Sequence, residues 1–322
     1  MNTSILNTRR ALTLLALASL AACGGGGGGD GGEPPVATDL AITDANADAV
    51  ARVGLASTSV GPLAANLGTG LGATGSASQV VALVSRRAQA LGLKAASRVQ
   101  PQAAAVVDCA VSGSVSVNFS DSNANGLFDA TGESISVSAS ACDDGSGFTL
   151  NGSFTMTLGS FTDARNFGFT MAFAGLQTTT TEGSVRLDGE LAVQLSGGNT
   201  LDLSSPSIVL QASRSGVSYR FALASYVAHV VDRGDASVQR VTGTFSGTGL
   251  DSYRVQVTTP VDVVQRYADD YPSAGTMKFV GAAGSVLKVD ALNATQARLS
   301  VDANGDGAYE TVRTVLWADL DR

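Results

Sequence analysis

Two short stretches of this chain place oxygen-bearing side chains at alternate positions, a spacing with definite chemical consequences. The first is Asp121-Ser122-Asn123-Ala124-Asn125-Gly126-Leu127-Phe128-Asp129, and the second is Asp302-Ala303-Asn304-Gly305-Asp306-Gly307-Ala308-Tyr309-Glu310. In a tight loop, carboxylate and amide oxygens at every other residue can converge on one hard cation. A glycine permits the sharp turn, and a backbone carbonyl just beyond it adds a ligand. The donors would be Asp121, Asn123, Asn125 and Asp129 with the Leu127 carbonyl in the first loop. In the second they would be Asp302, Asn304, Asp306 and Glu310 with the Ala308 carbonyl.

Both stretches resemble the Asp-x-Asn/Asp-x-Asn/Asp-Gly opening of calcium loops such as those of EF-hands and dockerins. The resemblance implies calcium as a cofactor, with the millimolar affinity of extracellular modules. It is incomplete: where an EF-hand has its bidentate glutamate, the first loop has Gly132, beside Glu133, and the second has Arg313. Strands rather than helices flank each loop. Asn-Gly and Asp-Gly are also ordinary hairpin-turn residues, so a weak calcium site and a plain turn are both open.

Catalytic chemistry has little to work with. The one histidine, His229, lies in the strand-like run Ser225 to Val231, where a structural or packing role is expected rather than that of a general base. No Gly-x-Ser-x-Gly elbow accompanies it. The acid pairs Asp143-Asp144 and Asp269-Asp270 read as solvated turns, because adjacent strand residues point to opposite faces. Trp317 is expected in the core, with a sugar-stacking platform as the alternative. The chain is read as non-enzymatic, with a hydrolase as the third reading.

Three cysteines are present, Cys23, Cys109 and Cys142. Alternation over Val111 to Phe119 and Ser134 to Ser140 predicts two strands of a hairpin centred on Asn125-Gly126, which would set residue 109 opposite residue 142. In an oxidising compartment these two should form a disulfide worth about 3 to 4 kcal/mol in the loop-entropy model.

The compartment follows from the N-terminus. Arg9 and Arg10 precede an uncharged run from Ala11 to Leu20, too short for a permanent span and suited to an export signal. Leu20-Ala21-Ala22-Cys23 then resembles the lipobox of bacterial lipoproteins. That family implies a signal peptide over residues 1–22, diacylglycerol on the Cys23 thiol, cleavage before Cys23 and acylation of the freed amine, enough chains for stable anchoring. Gly24, where an aspartate would imply inner-membrane retention, implies the outer membrane of a Gram-negative cell. Residues 23–37 read as a lipid-anchored linker, in which Gly24 to Val36 has a reach of roughly 20 Å. Thr8-Arg9-Arg10-Ala11-Leu12 also resembles a partial twin-arginine export motif.

Loss of residues 1–22 removes two of the 20 basic residues and none of the 28 acids, taking the net charge from −8 to −10. That balance disfavours nucleic acid and anionic head groups as partners. Only 15% of residues are charged and 44% are hydrophobic, which is too apolar for general disorder.

The elements that must hold the loops follow from periodicity. Residues 38–100 are Ala-rich and partly helical: Thr43 or Asp44 could cap a short helix through Val53, and Ser76 or Ser78 a second one to Gly92. In the second, Val80, Val84, Ala88 and Leu91 form a stripe, with Arg86, Arg87 and Gln89 off it. Both helices are expected to pack on a sheet. Residues 101–322 alternate with period two through about thirteen strands joined by short turns. The expected fold is mainly β: a large antiparallel meander, whether curved sheet, barrel or sandwich, with one or two short N-terminal helices.

As a whole the chain resembles the β-rich envelope lipoproteins of Gram-negative bacteria, on the lipobox, the poly-Gly leash, "ITDANADAVA" and the Asp/Gly loop before "VRTVLWADL". The implied role is a membrane-anchored binding or scaffolding domain that could enclose an apolar ligand. The alternative is a calcium-steadied adhesive or glycan-binding surface module. The expected partners are the membrane, through the lipid anchor, and an apolar ligand, a glycan or an envelope protein.

Overall fold

The computed structural model describes residues 38–58 and 105–320, apart from 126–127, 146, 164, 182, 215–216 and 251–252. The leader, Cys23, the glycine leash, the second expected helix, Gly126 and Leu127 lie outside the described residues.

Alternating side chains build one antiparallel sheet of fourteen strands, each bonded to its neighbour in sequence. The strands are β1 (Ala105–Asp108), β2 (Ser112–Ser120), β3 (Ser134–Asp143), β4 (Thr149–Asp163), β5 (Asn166–Thr179), β6 (Gly183–Ser196) and β7 (Thr200–Arg214), followed by β8 (Val217–Asp232), β9 (Ala236–Gly247), β10 (Arg254–Arg266), β11 (Ala274–Val280), β12 (Val286–Asn293), β13 (Gln296–Asp302) and β14 (Thr311–Leu316). The meander is open, with β1 and β14 as its edges. Closure into a barrel is therefore not realised.

Register explains why the apolar alternation holds the sheet together. Leu158, Phe169, Val193, Leu203, Ala228 and Val241 stand opposite one another across β4 to β9. All six are buried, so a one-residue slip of any strand would turn part of this row to solvent.

The first helix, α1 (Ala47–Thr58), starts later and runs further than the sequence suggests. Its N-cap is Asn46, not Thr43 or Asp44: the Asn46 side-chain oxygen accepts the Thr43 N–H, its amide donates to the Ala41 carbonyl, and its own carbonyl accepts the Val50 N–H. Ala47, Val50, Ala51 and Val53 are buried in the same core as Phe245, Phe279, Leu287 and Leu299. Gly54 lets the helix approach closely, since a Cβ there would lie 2.2 Å from a ring carbon of Phe279.

The segment ahead of α1 is strapped to the sheet. Leu40 donates to the Arg254 carbonyl (2.9 Å), Arg254 donates to Thr38 (3.0 Å), and Ala282 donates to Leu40 (2.8 Å). The Ile42 N–H reaches Ser285 Oγ at 2.9 Å, and Asp39 pairs with Arg254 at 2.6 Å.

After β14 the chain turns into a short helix, α2 (Trp317–Leu320), where the sequence suggested continued alternation. Trp317 is fully buried, stacks on Tyr271 with centroids 6.4 Å apart, and donates Nε1–H to the Asn293 carbonyl. Core packing, not sugar stacking, is its role.

Cys109 and Cys142 form a disulfide with a Cα separation of 5.5 Å. The route differs from the expected hairpin pairing. Val117 stands opposite Val137 and Ser120 opposite Ser134, a register three residues away from one that would set 109 against 142. Cys109 instead sits in the turn between β1 and β2, its N–H bonded to the Gly113 carbonyl, and reaches across to β3. Cys142 packs there with Val115, Val137, Ala139, Phe148 and Leu150 in a second, smaller core.

Candidate metal centre

The two Asp/Asn loops sit at opposite ends of the sheet. One follows an even-numbered strand, β2, and the other an odd-numbered strand, β13, in a meander whose strands alternate direction. Their interiors differ more than their sequences do.

In the first loop the side chains satisfy one another. Asp121 Oδ1 accepts the N–H groups of Asn123 (3.2 Å) and Ala124 (2.7 Å). The amide nitrogens of Asn123 and Asn125 both donate to the Asp129 carboxylate at 3.0 Å. Glu133, which is fully buried, enters from behind: Oε2 accepts Asp129 N–H (2.8 Å) and Ala130 N–H (2.9 Å), and Oε1 accepts the N–H of Ser122 (3.3 Å) and its hydroxyl (3.4 Å). A carboxylate so placed does with its two oxygens what an ion would do from the centre: it orders the loop from inside. Asp121, Asn123, Asn125 and Asp129 are close together, but the amides offer donors, not ligand oxygens, to Asp129.

The second loop is wound by successive side-chain turns that leave carboxylate oxygens grouped. Asp302, at the end of β13 and buried, accepts Gly305 N–H at Oδ1 (2.7 Å) and Gly307 N–H at Oδ2 (2.9 Å). Asn304 Oδ1 accepts Asp306 N–H, Asp306 Oδ1 accepts Ala308 N–H, both at 2.8 Å, and Glu310 Oε2 accepts Ala303 N–H at 2.9 Å. Gly305 has φ +77°, and a Cβ there would lie 2.6 Å from the Ala283 carbonyl oxygen in the β11–β12 turn, so neither its conformation nor its setting admits a side chain.

Asp302, Asp306 and Glu310 each present a carboxylate oxygen within 4.8 Å of the others, and among the described residues this is the cluster of metal-ligating side chains. Two oxygens bound to one calcium at about 2.3 to 2.6 Å can be at most roughly 5 Å apart, so the spacing suits a single ion. All three donors are hard oxygens, the type calcium and magnesium take. Each carboxylate has lone pairs beyond those its N–H partners use. Asn304 lies against the same cluster, its amide donating to Asp306 Oδ2 at 3.2 Å.

Arg313, at the EF-hand glutamate position, leaves the loop altogether and pairs with Asp44 (3.4 Å) and Asp48 at the start of α1. Partial burial pulls its pKa down, but hydrogen bonds and charge from Asp48 and Asp44 hold it above its ordinary value. It ties the second loop's outgoing strand to α1 and the turn just before it. Neither this link nor the Glu133 cap was visible in the sequence, although a lone acid between Gly132 and an apolar-alternating strand is the mark an interior cap would leave.

The His229–Asp202 and Arg240–Asp262 pairs are surface features. His229 Nδ1 lies 2.6 Å from Asp202 Oδ1 with both side chains half exposed, and Arg240, opposite His229, pairs with Asp262 at 2.7 Å. Asp143 closes β3 and Asp269-Asp270 lie in the turn after β10. No protein-family model, no curated protein and no solved structure matches the chain.

Proposed function

We propose that this is a lipid-anchored envelope protein, held through Cys23 at the outer membrane of a Gram-negative cell, whose β domain binds or scaffolds without catalysing a reaction. The observation that carries the reading is where the leash ends. Residue 38, the first after it, is bonded directly into the sheet, and the strap of 38–42 makes three main-chain hydrogen bonds to β10 and the β11–β12 turn, with a fourth from the Ile42 N–H to the Ser285 hydroxyl. A tether attached there pulls on the best-packed part of the domain, as a scaffold held at a surface requires. Mass spectrometry of the native protein should find a chain beginning at Cys23 with acyl mass upon it, and Cys23→Ala should release the domain from membranes. A mature chain starting elsewhere, or unmodified at Cys23, overturns the proposal.

A second reading is favoured by the Asp302, Asp306 and Glu310 cluster: a calcium-steadied surface module that recognises a glycan or an envelope protein. With Trp317 buried, the exposed aromatic of that rim is Tyr309, within the same loop, with the Lys288 ammonium 5.9 Å from its ring centre. Calorimetry with millimolar calcium tests the ion. No heat and no rise in Tm would remove this reading and leave the first intact.

A further inference from the structure

The chain has three lysines, and two of them stand face to face. Lys278 on β11 is the register partner of Lys288 on β12, in a stretch whose alternate residues Met277, Phe279, Leu287 and Val289 fill the main core. Both lysines therefore leave the sheet on its outer face, with Cβ atoms about 5 Å apart. Like charges directly opposite one another weaken a strand pair. Arg298 joins them from β13, where it is opposite Asp290 and one diagonal step from Lys288.

A single carboxylate answers this group. Asp290 takes the Lys288 ammonium at 3.2 Å, the Arg298 guanidinium at 2.8 Å and the Thr276 hydroxyl at 2.8 Å. No acid pairs with Lys278 among the described residues. Asp302, the other acid on this side of β13, is turned into its own loop by Gly305 and Gly307. Three cations thus face one anion, in a stretch, 105–322, where 23 acids outnumber 13 bases. A local excess of positive charge, held against the domain's overall balance and against its own strand pairing, is what an anionic ligand would complete. The domain's net charge does not prevent this, because at physiological salt the Debye length is about 8 Å and the patch's own charge decides contact.

The cations are spread over three adjacent strands, about 10 Å, so they can engage more than one anionic group at once, as a polymer presents them. Beside them stands the exposed Tyr309, its ring centre 5.9 Å from the Lys288 ammonium. An aromatic surface next to cations suits a charged sugar, whose apolar ring face packs on the phenol while its carboxylate, sulfate or phosphate groups meet the cations.

We propose that the outer face of β11 to β13 binds an anionic glycan, through Lys278, Lys288 and Arg298 with Tyr309 as the stacking surface. The inference rests on the glycan branch of the second reading and not on its ion.

The test is calorimetry of the full chain with dextran sulfate, run with a calcium chelator at physiological salt. Uncharged dextran and poly-glutamate are the comparison probes, and each should bind at least tenfold more weakly. Lys278→Gln should weaken dextran sulfate binding several-fold without lowering Tm, since it also relieves the repulsion with Lys288. Tyr309→Ala should weaken it several-fold at unchanged charge. Arg240→Gln, which removes the same charge from β9, should leave it unaltered. Absence of dextran sulfate binding, or equal losses in the Lys278 and Arg240 variants, overturns the proposal, and so does equal affinity for poly-glutamate, which would make the ligand an acidic peptide. A separate calcium titration keeps the two questions apart: without calcium heat the ion is lost, while dextran sulfate binding in chelator still upholds the glycan site.

Discussion

The two Asp/Asn/Gly loops begin alike and end differently, and the difference lies twelve residues past the first aspartate. Counting from Asp121, that position is Glu133, whose buried carboxylate binds the loop's backbone from within. Counting from Asp302, it is Thr314, exposed on β14. The first loop is thus ordered from within by a side chain. The second has no such insert, and Asp302, Asp306 and Glu310 are left facing one another. A ligand motif is therefore only half of a site: what decides its use is whether the protein already supplies the counterpart to its donors and acceptors.

The strongest way to break this contrast is to remove the insert. Glu133→Ala strips the acceptor from three backbone N–H groups and one hydroxyl around a buried position. The expected loss is about 3 kcal/mol, since hydrogen bonds to a charged group contribute about 1.5 to 3 kcal/mol and the orphaned donors are costly. Chemical denaturation should show this loss equally with and without calcium. Glu133→Gln, which keeps one acceptor oxygen, should lose less. A calcium-dependent rescue of either variant would mean that the first loop is an ion site after all.

Gly305→Ala addresses the second loop's frame. The left-handed backbone and the Ala283 carbonyl 2.6 Å from the added Cβ should together cost about 2 kcal/mol. Gly307→Ala shares the left-handed backbone, at φ +89°, but meets open space, so it should cost only the conformational part, about 1 kcal/mol. Equal losses at the two positions would show that the contact with the β11–β12 turn contributes nothing.

How far the sequence reveals these features depends on how local their causes are. Period-two alternation is a property of each strand alone, so Phe167 to Phe173 and Thr311 to Val315 are legible before any partner is known. Registration is not. The β2–β3 pairing is set by which rows can be buried together, and it moved the hairpin axis enough to put Cys109 in a turn while leaving its disulfide intact. Both loops could be located from residue type and spacing. Their chemistry could not, because it turns on Glu133 folding back under one loop and Arg313 reaching away from the other to α1, more than 260 residues distant in sequence. Trp317 teaches the same point: only the short final helix sets it against Tyr271.

Calcium itself sharpens the comparison at a smaller energy. At about ten times its Kd, calcium bound only by the folded protein should add about 1.4 kcal/mol. For a chain of this size that is a rise of about 2 to 3 °C in Tm. Asp302→Asn and Asp306→Asn should each abolish the rise, and Asn123→Ala with Asp129→Asn should preserve it. The reverse pattern would exchange the roles of the two loops.

The smallest effect concerns how the second loop's strand is held. Arg313→Gln removes two ion pairs from β14 to Asp48 in α1 and Asp44 just before it, whose side chains are 32% exposed on the arginine and more than half exposed on both aspartates. Exposed pairs of this kind contribute about 0.2 to 1 kcal/mol each and weaken with salt. The variant should therefore lose about 1 kcal/mol or less at low ionic strength, and the difference from the parent should shrink as salt is raised. It should not alter the calcium-dependent rise in Tm, because Arg313 points to α1 and not to the carboxylates. If the rise disappears with Arg313, the strap is coupled to the loop's geometry, and ion binding at the rim would then bear on how the tethered end of the domain is clamped.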